Sequence, residues 1–418
     1  MSHTGIRGYG RVLGHGPAVR PFLAAVIARL PVGMAGLGMI VLIEQVRGSY
    51  SIAGVVTAAF ALATALSAPV LGRLMDRAGQ PRVLIATGLV SSAALASLAL
   101  AAVAGAADVV LIALAIATGL TFPPISPAMR AAWRVIFPDQ DRRRLGYALD
   151  ASSVELIFVC GPLLLSLLAA FSPPQVPLLV TAGLMASGSL AYSSTKAARS
   201  WRSADIVVLD DGASVAAVGR NTARSALTAP GLALLLLVAL CMAVGFGQMD
   251  TAFVATADLV LGGPQNLGFL FAAIAGGSTI GGLVYGSRHW KGDEFRRTAI
   301  MLGLFALSIV PLPLLMLAGT PPLSLLLPLM FLTGLTIAPT LIMFQNGIDA
   351  LAPGHRITEA QAFLSAAMTS GGALGTAAGG IMVDHLGPGG ALVGAVVVIA
   401  LGSALCFTRL RRWRGLVG

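Results

Sequence analysis

Three ionisable side chains, Arg29, Asp150 and Glu155, stand inside long apolar runs of the sequence. If these runs cross a bilayer, burying such a group at the centre costs about 2.5–3.5 kcal/mol, so its presence there indicates a function. Arg29 lies about eight residues into its run and Glu155 about eleven residues after Arg144, which corresponds to depths of about 12 and 16 Å. We therefore predict that Arg29 and Glu155 face a central cavity and interact, directly or through a substrate, with Glu155 as a proton-coupling group.

The same charges also have a purely structural interpretation, in which Arg29 and Glu155 form a buried pair that holds two helices together. Asp150 comes five residues before Glu155, on a different helical face and nearer the inner surface. There it either contributes to the site or only caps its helix at the membrane interface.

A second polar group lies in the other half of the chain, in the stretch Gly245-Phe-Gly-Gln-Met-Asp250. Glycine weakens a helix locally and can let it flex as a gate. We predict that Gln248 and Asp250 contact a substrate or take part in gating. The alternative is that they are polar caps near the outer mouth.

Prolines indicate where the elements that carry these groups bend. Proline lacks a backbone N–H and kinks a helix, which is tolerated where neighbours or a water-filled cavity satisfy the freed groups. We expect such kinks at Pro123, Pro124 and Pro127 in one apolar run, at Pro162 in the next run, and at Pro339 in the second half.

The composition excludes a soluble or disordered chain. Hydrophobic residues make up 56% of the 418 residues and charged residues 11%, with a mean hydropathy of +0.87. Soluble domains carry about 25% charged residues, and disorder requires low hydrophobicity. The three cysteines lack a CxxC spacing, and the five histidines lie in tails or loops, so we expect no disulfide framework, metal site or cofactor.

Twelve apolar runs are long enough to cross a membrane as helices, which takes roughly 20 residues each. This predicts an all-α polytopic membrane protein with twelve transmembrane helices in two six-helix bundles. The runs are about Pro21–Ile43, Ile52–Leu74, Val83–Ala106, Val109–Met129, Leu145–Ala170, Pro177–Tyr192, Pro230–Val254, Leu267–Tyr285, Thr298–Ala318, Leu323–Phe344, Glu359–Val383 and Gly389–Phe407.

Basic residues lie almost entirely in alternate loops, with Arg47 alone on the opposite side. By the positive-inside rule both termini are cytoplasmic, which accounts for the net charge of +10 without a nucleic-acid partner. The predicted organisation is a basic tail (1–20), a first bundle (21–192), a cytoplasmic central loop (193–229), a second bundle (230–407) and a basic tail (408–418). We expect a monomer in the bacterial inner membrane.

The two halves resemble each other. Gly119-Leu-Thr-Phe-Pro-Pro124 recurs as Gly334-Leu-Thr-Ile-Ala-Pro339, and shorter matches at similar offsets link the second and eighth runs. A duplicated six-helix unit suits alternating access, in which two similar bundles rock about a central site.

The loop between the second and third runs reads Gly72-Arg-Leu-Met-Asp76-Arg77-Ala-Gly79-Gln80-Pro81-Arg82. It resembles the cytoplasmic loop signature of the major facilitator superfamily, with a match at Gly72, Asp76, Arg77 and Gly79. Gln80 and Pro81 depart from the usual basic pair, and Arg82 supplies a charge one step later.

The resemblance implies that Asp76 lies against the N-terminus of span eleven, which begins with the capping-box pattern Thr358-Glu-Ala-Gln361. Asp76 would then stabilise a closed cytoplasmic gate, with Arg77 pairing Asp139 or Asp141. The fourth run has Ala115 where proton-coupled drug antiporters of the superfamily usually carry an arginine, and the fifth keeps Gly161-Pro162 without a following glycine pair.

Together these features predict a secondary transporter, most simply for proton-coupled efflux of a small amphipathic or apolar molecule. Uptake or facilitated diffusion of a small solute is the alternative within this class, and a non-transporting membrane sensor the alternative outside it. An enzyme is disfavoured because the apolar runs contain no histidine. No P-loop motif is present, which argues against ATP-driven transport by this chain.

Overall fold

The computed structural model describes residues 16–137, 139–200, 231–288, 290, 293–352 and 357–414, and gives the backbone alone for a few helical positions within these ranges. Helices account for nearly all of it. They are α1 (Gly16–Arg47), α2 (Tyr50–Ala78), α3 (Gln80–Val103), α4 (Asp108–Leu120), α5 (Ile125–Ile136), α6 (Gln140–Phe171), α7 (Val176–Ser193), α8 (Lys196–Ser200), α9 (Leu232–Ala255), α10 (Leu267–Gly286), α11 (Glu294–Ile309), α12 (Pro311–Ala318), α13 (Leu323–Gly334), α14 (Ile337–Leu351) and α15 (Ile357–Arg414). A π-helical turn, Thr256–Val260, extends α9.

Ten helical segments in the described chain are long and apolar enough to cross a membrane. One of them, Glu359–Phe407, spans 49 residues and contains two helices that meet at Gly387, where φ is 72°. The apolar part of α6, Leu156–Phe171, is shorter but continues a 32-residue helix. Counting both parts of α15 together with α6 gives the twelve spans, and the all-α polytopic fold is confirmed.

The predicted breaks in the fourth and tenth spans are present. Helix α4 ends at Leu120 and α5 begins at Ile125, so Pro123 and Pro124 lie in the break and Pro127 in the first turn of α5. In the tenth span α13 ends at Gly334 and α14 begins at Ile337, which puts Pro339 in its first turn. The two halves of the chain therefore interrupt the same span at equivalent positions.

Helix α6 differs, because it runs through Pro162 as one element. The neighbouring Gly161 packs on α1 at this level. A Cβ built on Gly161 would lie 3.0 Å from the carbonyl carbon of Gly33, and one on Gly33 would lie 2.8 Å from the carbonyl oxygen of Ile157. Helix α1 therefore packs closely on α6 directly before Pro162, the residue that lacks an N–H group.

The signature loop is a turn of one residue. Gly79 has a φ of 88° and its N–H donates to the carbonyl of Met75 at 2.9 Å, which caps α2, and α3 starts at Gln80 with Pro81 in its first turn. Only glycine adopts this backbone without strain. At Gly72, by contrast, a Cβ would meet nothing within 4 Å among the described residues, so no close helix approach requires that glycine.

The helices form two compact units. Within the described chain, the first contains residues 16–35, 63–161 and 175–200, and the second contains 36–62, 162–174 and 231–414. The second unit thus includes one end of α1, the beginning of α2 and the end of α6, although these belong to the first half of the sequence. The tails and most of the central loop (1–15, 201–230 and 415–418) lie outside the described residues.

Candidate functional site

Arg29 is the most buried charged side chain of the first unit, with 2% of its surface exposed. Its Nη1 donates to Oδ1 of Asp150 at 2.7 Å, and Asp150 is buried as well. The same Nη1 lies 3.5 Å from Oγ of Ser153, which donates to the backbone carbonyl of Asp150 at 2.6 Å. Three residues from α1 and α6 therefore form one buried polar cluster.

Part of the hydrogen-bonding capacity of this cluster is unused. Among the described residues, neither Nε nor Nη2 of Arg29 has a partner, and the buried hydroxyl of Tyr192 on α7 has none either. Tyr192 interacts electrostatically with both Arg29 and Asp150. Buried polar groups are normally satisfied, so open donors beside a buried ion pair are typical of a site that receives a polar group from elsewhere.

Close packing between α1 and α7 fixes this arrangement. A Cβ on Gly188 of α7 would lie 2.4 Å from Cα of Ala28 and 2.5 Å from its backbone nitrogen. Tyr192 follows Gly188 by one helical turn and therefore lies on the same face of α7, next to Arg29. Ala28 and Tyr192 both belong to the buried apolar cluster that includes Trp133 and Met129. This cluster shields the ion pair from water on that side.

The partner of Arg29 is therefore Asp150. From the sequence, this carboxylate is predicted either to contribute to the site or only to cap its helix. Glu155 lies on α6, but its side chain is outside the described part of the structure, so the predicted contact between Arg29 and Glu155 stays a prediction.

Gln248 and Asp250 belong to the second unit and lie on different sides of α9, since two residues correspond to about 200° of helix rotation. Gln248 is buried, and its Nε2 lies 3.6 Å from the sulfur of Met382. Asp250 is half-buried. The structure does not bring the two side chains together.

The charged residues of the signature, Asp76, Arg77 and Arg82, are exposed. The predicted contacts of Asp76 and Arg77 stay predictions, and Thr358 and Asp141 are outside the described side chains. The departure at Gln80 has a clear reason. This side chain is 1% exposed and its Nε2 donates to the carbonyl of Ala128 at 3.4 Å, a position in which a basic group would bury its charge.

A second polar site, which the sequence did not predict, lies at the end of α2 away from Gly79. Asp384 of α15 accepts hydrogen bonds from Ser49 Oγ at 2.9 Å and from the backbone N–H groups of Tyr50 and Ser51 at 2.8 Å each. Ser49 Oγ in turn accepts from the N–H of Ile52 at 3.3 Å. A carboxylate of α15 thus caps the N-terminus of α2, where the helix dipole favours an anion.

Two further acids lie at this end. The hydroxyl of Tyr50 donates to Asp258 on the π-helical turn at 3.4 Å. Glu44, near the end of α1, interacts electrostatically with both Asp258 and Asp384. Backbone packing closes the same region, because a Cβ on Gly54 would lie 2.6 Å from the carbonyl oxygen of Thr376, and Gly380 lies against the Tyr50 carbonyl. We call Glu44, Tyr50, Asp258 and Asp384 the acidic end cluster.

One signal in the sequence could have revealed this cluster. Ser49 directly before an apolar run is an N-cap residue. The acidic side chains at the ends of spans one, seven and eleven all lie on the side that is poor in arginine. The sequence does not show that Asp384 lies close to a helix more than 300 residues earlier in the chain.

Solved transporter structures have the same fold. The peptide transporter POT superposes with a TM-score of 0.68 at 16% identity, over 94% of this chain and 94% of that chain. For the nucleoside transporter NupG the TM-score is 0.71 at 12% identity, over 95% and 99%. A POT family transporter in complex with a thioalcohol-conjugated peptide gives 0.70 at 13%, over 97% and 96%. At these identities the likeness shows the fold alone. No curated protein matches the sequence.

The spans, the duplicated interruption and the buried charges define a polytopic membrane transporter built from α-helices. Residues 21–290 match the family model of the Major Facilitator Superfamily. This chain belongs to the Major Facilitator Superfamily, and it is a transporter rather than an enzyme.

Proposed function

We propose that this protein is a secondary transporter of the bacterial inner membrane that exports a small amphipathic or apolar molecule in exchange for protons. Both termini are cytoplasmic in this proposal, as the distribution of arginines indicates. The buried pair of Arg29 and Asp150, with two guanidinium nitrogens left without partners in the described chain, is the observation that carries the proposal.

The chemistry of the pair suits proton coupling. While Asp150 is ionised, it holds Nη1 of Arg29 at 2.7 Å. Protonation of Asp150 removes that charge and weakens the contact with the guanidinium, whose Nε and Nη2 have no partner among the described residues. A hydrogen-bond donor of the substrate and a proton would both bind this carboxylate, so each excludes the other, which is the exclusion that an exchanger requires. Glu155, on the same helix, is the second candidate for the coupling proton.

The acidic end cluster supports alternating access in this proposal. With cytoplasmic termini, the cap that Asp384 places on α2 lies at the outer face and keeps that end closed. The exposed Asp76 lies at the inner end of the same helix. We propose that the two acids are used in turn, with Asp384 engaged when the outer side is closed and Asp76 engaged when the inner side is closed.

The first step of the test is to find the substrate, by comparing metabolites and drug susceptibility between deletion and overexpression strains. Everted membrane vesicles then report the direction. Accumulation driven by an acidic interior supports proton-coupled export. Accumulation in right-side-out vesicles instead supports uptake, equilibration that ignores the pH gradient supports facilitated diffusion, and no movement at all supports a sensor.

The coupling role of Asp150 is tested with Asp150→Asn, which imitates the protonated acid. We expect loss of gradient-driven accumulation with substrate exchange retained. Asp349→Asn is the matched control, since Asp349 is an exposed carboxylate of α14. Glu155→Gln, measured in parallel, assigns the proton to one acid or the other. Normal, pH-dependent transport by both variants would contradict the proposal.

A purely structural pair predicts a different result. Removing one partner of a buried pair costs about 3–5 kcal/mol, so Asp150→Asn would then express poorly or unfold at a lower temperature. The double variant Arg29→Met with Asp150→Asn would restore stability in that case. Restored stability together with unimpaired coupling would leave the pair with no role in transport.

A further inference from the structure

A cavity of about 700 Å³ lies within the second unit. Its walls come from α9, from the end of α12 and from both parts of α15 around the turn at Gly387. Apart from Gln248 and Thr320, the residues that line it are apolar or glycine, with Met316, Met382 and Val397 among them. Among the described residues, none with a charged side chain lines the cavity.

Several of the residues that line the cavity are exposed apolar side chains. Three of its lining residues, Leu317, Leu386 and Val397, are exposed to 82%, 69% and 52%. Large apolar side chains so exposed on a membrane-spanning chain face lipid. The rim of the cavity is therefore apolar, which suits an apolar ligand.

Gln248 gives this apolar cavity one specific feature. The side chain is 3% exposed, and its Nε2 is engaged only with the weakly accepting sulfur of Met382, at 3.6 Å. Its Oε1 has no hydrogen-bond partner among the described residues. A buried acceptor of this kind is normally satisfied, and apolar walls offer no partners with which to fix a water molecule there.

We propose that this cavity binds a small apolar molecule that carries one hydrogen-bond donor, a hydroxyl or an N–H group. The donor binds Oε1 of Gln248 and the apolar body packs against Met316, Met382 and Val397. The volume is that of a small-molecule site. The absence of any cationic lining residue disfavours a phospholipid headgroup. The inference depends on the membrane-spanning fold and is independent of the direction and coupling of transport.

A pair of photoreactive probes tests the proposal: a diazirine-bearing octanol and the matching diazirine-bearing octane, applied to the full-length protein in proteoliposomes. Mass spectrometry maps the adducts. We expect the octanol to label residues of the cavity about five times more than the octane, the ratio expected from one net hydrogen bond of about 1 kcal/mol. Gln248→Met removes the acceptor and should make the two probes label equally.

Two tryptophan variants provide a control that leaves Gln248 intact. Val397→Trp fills the cavity and should abolish labelling by both probes. Val284→Trp places the same side chain at an exposed valine of α10 that does not line the cavity, and should leave the labelling unchanged. Equal labelling of the wild-type cavity by the two probes would overturn the proposal. So would native mass spectrometry showing a bound phospholipid that octanol cannot displace.

Discussion

Replacing Asp384 should open the end of the transporter that this residue holds closed. Asp384 joins α15 to the N-terminus of α2 through three hydrogen bonds of 2.8–2.9 Å. These bonds break when the two helices separate, so their free energy favours the closed state. Loss of an N-cap side chain costs about 0.5–2 kcal/mol, and loss of the anion at the helix dipole about 0.3–1 kcal/mol.

The magnitude depends on the substitution. Asp384→Ala removes both contributions. Because the carboxylate is exposed to water, we take the loss in stability of the closed state as about 1–2 kcal/mol, which raises the population of the open state roughly fivefold to thirtyfold. Asp384→Asn keeps an acceptor oxygen and loses only the charge. Its effect should be about 0.5 kcal/mol, roughly twofold.

A cysteine at Ala58 measures this opening. Ala58 is buried and follows Gly54, which packs on Thr376, by one helical turn. In a background in which the three native cysteines are replaced, the rate of modification by a membrane-impermeant thiol reagent follows the open population. Asp349→Ala, at an exposed acid of α14, is the control. An unchanged modification rate in Asp384→Ala would refute the assignment of Asp384 as a closing contact.

Two further predictions concern packing and topology. Gly188→Ala places a Cβ against the backbone of Ala28 and should destabilise the protein by about 1–3 kcal/mol, seen as a lower unfolding temperature. Gly183→Ala on the same helix meets nothing within 4 Å and should leave the unfolding temperature unchanged. Equal unfolding temperatures of the two variants would show that α1 and α7 are not in contact at Gly188. Reporter fusions at Gly319 should report the outside and fusions at Gly79 the inside, and the reverse result would invert the proposed orientation.

Much of the fold follows from the sequence, because in a bilayer each apolar run must satisfy its own backbone hydrogen bonds as a helix. The spans, the break at Pro123 and Pro124 and the turn at Gly79 all depend on local chemistry, and all are present. Pro162 shows the limit of this reasoning. Pro123 and Pro124 lie in a break between two helices, whereas α6 continues through Pro162, and the sequence pattern alone does not distinguish the two cases.

The ion pair shows the same limit at the level of the site. Burial of Arg29 could be predicted from its place in an apolar run, but its partner depends on the register between α1 and α6. Gly33 packs against Ile157 and Gly161, so one turn earlier Arg29 meets Ser153 and Asp150. Helical periodicity defines the face of a single helix and carries no information on the register between two helices.

The one-residue turn at Gly79 has a mechanical consequence. Helix α2 has 29 residues and is therefore about 43 Å long, with Asp384 bound at its first turn and α3 attached at its last through a single residue. So short a connection leaves few backbone torsions between the two helices, so a change in the tilt of α2 must be taken up at Gly79 or passed on to α3. Helix α2 therefore links the Asp384 cap at one of its ends to the signature loop at the other, across the full thickness of the bilayer.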